Sequence, residues 1–318
     1  MLSRTANSIY WMSRYIERAE NYARFIDVNF NLSMEMAPGT PAQWEPLIIT
    51  TGDWDEYKKV YESASKKDIV FFLSLDEKNP NSIKNCIIRA RENARQIRPE
   101  ITKEVWEQIN YLYYFVFDGG EAEKLLKSDP REMFSQIKKG CQLLYGIFDA
   151  TISRNEGWNF SRMGQLLERA DKTLRVLDVK YHILLPNSKA VGSALDLIQW
   201  GSLLKSVSAY DMYRKTYGRI TIDNIVSFLL FDRQFARSVL HCLMEAQLSL
   251  NEITGNRSGY TKEAERRMGS LKSILEYNRI NDVISLGLHE FIDELQKEIN
   301  EVNDSIQETF FFSEMKLH

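Results

Sequence analysis

The pairs Glu17-Arg18 and Glu168-Arg169 are the residues of this sequence best placed to do chemistry. They sit in one phrase written twice, "SRYIERAENYARFIDV" at 13–28 and "GQLLERADKTLRVLDV" at 164–179. Two carboxylates brought into one polar cavity can divide acid and base roles between them. A carboxylate flanked by arginine is held in its ionised form, however, and makes a poor general acid near neutral pH. For the protein as a whole binding is favoured over catalysis, with Arg14, Arg18 and Arg169 as candidate binding residues. Acid–base work by Glu17 and Glu168 is the alternative. At the Glu-Arg phrase itself a structural ion-pair network is favoured over a ligand site, because spacings such as Arg14/Glu17, Glu20/Arg24, Glu168/Lys172 and Asp171/Arg175 make ordinary helix pairs of ~0.2–0.5 kcal/mol. For the protein as a whole a purely structural scaffold is the third reading.

Other candidates carry less. Arg91, Arg95 and Arg98 fall along one helical stripe in "IIRARENARQIR" and can hold a phosphate or carboxylate, though a solvated face explains them as well. His241 and Cys242 diverge as helix neighbours and cannot form a nucleophile–base pair by adjacency. His182, His289 and His318 have no ligand-spaced partners, so no metal site and no cofactor is expected. No HExxH, Walker loop, GxGxxG or GxSxG signature occurs. Trp106, Tyr111, Tyr113 and Tyr114 are expected to fill core rather than stack on bases.

These residues must be positioned by helices. Ile9, Met12, Ile16, Ala19, Ala23, Ile26 and Phe30 step by threes and fours, which marks one helical face. Glu17 lies roughly 140° from the centre of that face and Arg18 roughly 120° away on the other side. Tyr10, Trp11 and Phe25 share that back side, so the helix is expected to be buried between layers, with Glu17 and Arg18 partly desolvated and paired. The first helix is expected to stop near Met36, ahead of "APGTP". Asn81 is expected to cap the next, Pro99 to open another, and Asp129-Pro130 to start one running toward Ser153. Met163, Leu167, Ala170, Leu174, Leu177 and Tyr181 repeat the first pattern and stop before Pro186. Further helices are expected around 193–208, 222–230, 233–253 and 261–278, and a long last one at roughly 281–310. No alternating run makes a convincing strand. The fold class is all-α, a multi-helix bundle.

The repetition extends beyond the Glu-Arg phrase. Residues 44–76 shifted by 156 fall on 200–232 with eleven identities in 33 positions, Trp44 on Trp200 and Tyr57 on Tyr213 among them. The Glu-Arg segments align with a shift of 151, and loops of different length account for the change. The expected organisation is one domain over 1–318, built of duplicated, pseudo-symmetric halves at about 1–151 and 152–318.

Composition narrows the function classes. With 318 residues, 44% hydrophobic and 27% charged, the chain suits an ordinary globular protein. A net charge of −3 gives no global pull toward nucleic acid or an acidic membrane, so neither is expected as a partner. Cys86, Cys141 and Cys242 are scattered singly, which suits a reducing compartment. The N-terminus lacks the form of a signal peptide and no apolar run reaches the ~18 residues of a membrane span, so a cytoplasmic, bacterial-type protein is expected.

The opening "LSRTANSIYWMSRYIERAE" resembles the signature of the alpha-E family, bacterial all-helical proteins with a Glu-Arg motif. Similar stretches continue in "RARENARQIRPEITKEVWEQIN", "AYDMYRKTYGRITIDNIVSFLLFDRQFARSV" and the second "LLERAD". Ser13, Gln165 and Ala236 depart from the family pattern, where glycine, arginine and proline are usual. The resemblance implies association with a circularly permuted ATP-grasp protein and with a transglutaminase-like protein. It thereby implies a helical accessory or binding component in peptide or amide-bond formation, with a peptide as candidate substrate.

Overall fold

A computed structural model describes residues 1–35, 44–117, 119–182, 193–256 and 259–312. All regular elements among the described residues are helical. In chain order they are α1 (Ser3–Glu35), α2 (Glu45–Thr51), α3 (Trp54–Lys58), α4 (Lys66–Ser74), α5 (Ile83–Gln96), α6 (Lys103–Val116), α7 (Glu121–Ser128) and α8 (Pro130–Thr151). Then follow α9 (Glu156–His182), α10 (Ala194–Ser206), α11 (Tyr210–Tyr217), α12 (Ile222–Phe231), α13 (Val239–Thr254), α14 (Glu263–Tyr277), α15 (Ile280–Leu286) and α16 (Leu288–Ile306). The all-α expectation holds.

The two Glu-Arg helices, α1 and α9, form the centre. α1 packs on α5, α8 and α9, and α9 packs in addition on α13 and α16. A helix covered on several sides must be apolar on several sides, and α1 buries Ile9, Tyr10, Ile16, Ala23 and Phe25 alike. The short helices are exchanged between them: α2, which follows α1, lies against α9, while α10, which follows α9, lies against α1. At the crossing of α1 and α9 the backbones come close. A Cβ on Gly164 would stand 2.5 Å from the Tyr10 carbonyl oxygen, and Ser13 and Ser161 meet through their hydroxyls at 2.7 Å.

The stretches that align with a shift of 156 have matching local structure. Ser65, Ser82, Thr221 and Ser238 each cap a helix by accepting the backbone N–H three residues on. Tyr57 donates its hydroxyl to the Ser63 carbonyl at 2.8 Å, and Tyr213 does the same to Arg219 at 2.7 Å. Gly52 and Ser208 both take left-handed backbone conformations, with φ of +79° and +53°.

Several expected boundaries move. Ser82, not Asn81, caps α5, because the Ser82 hydroxyl takes the Asn85 N–H and frees Asn81 for other contacts. Pro99 lies in a single 3-10 turn, and α6 begins only after Thr102, whose hydroxyl accepts from the Val105 N–H. Asp129 caps α8 as expected. The helix expected from 233 starts at Val239, and the last long helix is broken by Gly287 at φ +104°. The expected stops near Met36 and before Pro186 lie outside the described residues.

Candidate functional site

One turn beyond the close crossing, each Glu-Arg pair reaches the opposite helix. Arg169 of α9 grips Glu17 of α1 with Nε to Oε1 at 2.9 Å and Nη2 to Oε2 at 2.8 Å. Reciprocally, Arg18 of α1 grips Glu168 of α9 through the same two nitrogens. Both are two-point, charge-assisted contacts, the strongest kind a carboxylate makes with a side chain. Glu17 and Glu168 are both 0% exposed.

Further donors complete each carboxylate. Glu168 takes Arg14 Nε at 2.9 Å and faces Lys172 at 3.4 Å. Glu17 takes Asn21 Nδ2 at 2.9 Å, Arg237 Nη1 at 3.2 Å and, at 3.4 Å, Gln165 Nε2. Gln165 stands in α9 where Arg14 stands in α1, and its neutral amide holds Glu17 only loosely. Arg237 supplies the charge that position 165 lacks.

Burial on its own would raise the pKa of both acids. For Glu17 that effect is outweighed by Arg169 and Arg237, with hydrogen bonds from Arg169 and Asn21, and its pKa is held at about 2. Glu168 is likewise pulled well below the carboxylate range, by Arg18, Lys172 and Arg14. Two ionised, donor-saturated carboxylates have neither a proton to give near neutral pH nor an idle oxygen to receive one.

Beside the brace opens a polar cleft of about 530 Å³, and Arg24, Arg169, Arg237 and Gln165 are among its walls. Neither Glu17 nor Glu168 lines it; the carboxylates that do are Glu20, against the brace, and the exposed Asp149, which pairs with Arg154 at 2.7 Å. Glu20 Oε1 accepts from Arg24 Nε at 2.9 Å and Arg237 Nη2 at 2.8 Å. Arg24 also donates to the Ser208 hydroxyl at 2.5 Å.

The basic stripe is not a single site. Arg91 donates to Asn110 at 2.7 Å and lies over the Tyr113 ring. Arg95 is exposed and pairs with Glu92 at 2.8 Å. Arg98 donates to the Ile101 carbonyl. Arg91 and Arg98 border a shallow depression with Trp106, Tyr111 and Tyr114, and Arg95 does not. Tyr111 and Tyr114 are exposed rather than core, because α6 turns them away from α5 and α8. His289 meets Asp178 at 2.6 Å, a partner 111 residues away that spacing rules do not reach. The three cysteines are buried, and burial pushes the Cys86 and Cys242 thiols up to about 12. Thiols held protonated in this way are inert. Among the described residues no cluster of three metal-ligating side chains occurs, and no helix is long and apolar enough to cross a membrane.

Sequence reasoning missed Asn81 and Arg237. Asn81 accepts from Arg18 Nη1 at 2.7 Å, and Arg237 joins Glu17 to Glu20. The signal was present, since the 156-residue shift carried five positions further places Asn81 on Arg237.

Comparison with known proteins finds relatives of the sequence. The family model for Alpha-E, described as a predicted alpha-helical domain with a conserved ER motif, matches residues 1–311. An uncharacterized protein of Mycobacterium bovis is 21% identical over 320 residues, covering 92% of this chain and 34% of its own length. Uncharacterized proteins of two Mycobacterium tuberculosis strains match over the same extent at 21% and 20% identity. The chain thus spans about a third of the length of the curated relatives it matches. No solved structure matches it significantly.

Proposed function

This chain belongs to the Alpha-E family, and from that premise we propose that it is a helical binding component. In this reading it works with an ATP-grasp-type ligase in forming or modifying a peptide or amide bond. The observation that carries the binding role is the state of the Glu-Arg motif. Both glutamates are enclosed, ionised and saturated with donors, so the motif holds α1 to α9 and leaves the surrounding surface and cleft to do the recognising. The alternative, acid–base catalysis by Glu17 and Glu168, is disfavoured by the same saturation.

The ligase as partner rests on the family resemblance. It is supported by the mycobacterial relatives, in which the matching segment is about a third of a longer chain, as suits a module that acts beside another. We also propose that the halves arose by duplication, on the strength of the reciprocal Glu-Arg contacts and the matching caps and tyrosine bonds. Co-purification with a circularly permuted ATP-grasp protein from the native cell, followed by sizing chromatography, tests the partnership. Co-elution supports it; separate elution, with and without ATP and magnesium, counts against it.

A further inference from the structure

The cleft beside the brace has a charge balance that its own residues do not close. Three guanidiniums, Arg24, Arg169 and Arg237, share two carboxylates, Glu17 and Glu20. The remaining charges near the cleft cancel: Arg162 faces Glu245 at 3.4 Å, and Asp149 is paired with Arg154 at 2.7 Å. One positive charge is left over at a wall where Arg24 and Arg237 are both nearly buried. A buried charge without its full complement is costly, and a site in that state gains from an incoming anion. Burial lowers the pKa of Arg237 despite Glu20 and Glu17 beside it, which marks it as the undercompensated member.

The same wall is incomplete in its hydrogen bonds. Glu20 Oε1 collects donors from Arg24, Arg237 and Gln142, while its Oε2 is buried with no partner among the described residues. The Tyr145 hydroxyl is also buried and unpartnered. Buried polar atoms are nearly always satisfied, so two such atoms in one wall point to a group the chain itself does not supply. Both are closed to solvent in the free protein, and a ligand reaches them only as side chains such as the exposed Gln142 turn aside.

We propose that this cleft is a binding site for a monoanionic carboxylate carried on an apolar body, the free carboxylate of an amino acid or of a peptide end. A single excess charge matches one carboxylate, whereas a phosphate monoester with about −1.5 to −2 at neutral pH would overshoot it. Trp158, Phe148 and Phe235 give the cleft an apolar side for the rest of the ligand. Its volume of about 530 Å³ lies within the ~300–1,000 Å³ of small-ligand pockets. The N–H next to such a carboxylate, an ammonium or a peptide amide, is the donor that Glu20 Oε2 lacks. The site rests on the binding role proposed above but not on the ligase.

Isothermal titration of the purified full chain tests it with N-acetyl-L-phenylalanine, its C-terminal amide, L-phenylalanine and inorganic phosphate. The acid is expected to bind saturably, with a dissociation constant on the order of 0.1 mM. The amide and phosphate should bind at least about ten-fold more weakly. Comparing L-phenylalanine with its N-acetyl form separates a free amino acid from a peptide end as the source. Arg237→Gln removes the excess charge while keeping a donor toward Glu17 and Glu20. Because Arg237 is also a buried donor to Glu17 and Glu20, the variant is expected to melt at a lower temperature. Titrated well below its own melting transition, it should lose at least about ten-fold in affinity for the acid, and wild-type affinity in the folded variant overturns the proposal. Equal binding of acid and amide, or no saturable heat with either carboxylate at 10 mM, overturns the proposal whatever the variant does. Because the titration uses this chain alone, its failure leaves the ligase partnership to its own test.

Discussion

Arg18 of α1 closes on both oxygens of Glu168 of α9, with Nε to Oε1 at 2.7 Å and Nη2 to Oε2 at 3.1 Å. Glu168 has no contact with water, so any loss of donors falls on a fully buried charge. Glu168→Gln strands Arg14 and Arg18 together and is expected to cost about 3–5 kcal/mol. Arg18→Met should cost less, because Arg14 and Lys172 still face the carboxylate. Urea melts of the two single variants and the double variant should give a coupling of at least about 1 kcal/mol. Strict additivity would mean that the pair does not hold the helices together.

Acid should release the brace. Glu17 is held at about 2 in the folded chain against an ordinary 4.5, and Glu168 is lowered as well. A depressed folded-state pKa contributes stability that is fully present above the unfolded value and lost as pH falls through the folded one. Stability should therefore be flat with respect to these groups above about pH 4.5 and fall steadily toward pH 2. Glu17→Gln should flatten that fall, and a variant with the wild-type acid slope would assign it to other groups.

Gly164→Ala sets two effects against each other. Alanine is the better helix former by about 1 kcal/mol, but its Cβ would meet the Tyr10 carbonyl oxygen at 2.5 Å. Backbone cannot step aside as a flexible side chain can, and overpacking costs about 1–3 kcal/mol. Net destabilisation is expected in thermal or chemical melts. A more stable variant would show that α1 and α9 are less closely packed than described.

The His289–Asp178 contact fastens α16 to α9 and should respond to pH in the opposite sense. Its hydrogen bond to Asp178 raises the His289 pKa above 6.5. A raised folded-state pKa contributes stability that is complete below the unfolded value and lost as pH rises through the folded one. The contact is partly exposed, so its worth is no more than about 1 kcal/mol. His289→Gln should remove this decline above pH 6.5 and leave the acid limb unchanged. An unaltered pH profile would count against the pairing.

What could be read from the sequence followed its periodicity. The long helices α1 and α9 announce themselves because apolar residues recur at threes and fours, and the aromatic back face of α1 indicates burial between layers. Caps were less legible: "NPNSIKN" offers Asn81 and Ser82 at adjacent positions, and only the backbone angle decides which one caps. The short helices α3, α7 and α11 span one or two turns, too little for a period to register. The crossing of Glu17 to Arg169 was open to anticipation from the written repetition, because buried charges need partners and the second copy offered them. Arg237 was harder to reach: it projects from the turn before α13, 220 residues from Glu17 in sequence, and only the 156-residue shift extended past residue 76 pairs it with Asn81.

The exchange of short helices, α2 against α9 and α10 against α1, bears on how the chain comes apart. In stacked repeats the terminal unit can fray while its neighbours stay folded. Here the first half cannot detach without uncovering α9, nor the second without uncovering α1, and either departure leaves an ionised glutamate unmatched. The chain is thereby expected to unfold in one transition, and coincident urea melts by circular dichroism and tryptophan fluorescence check it.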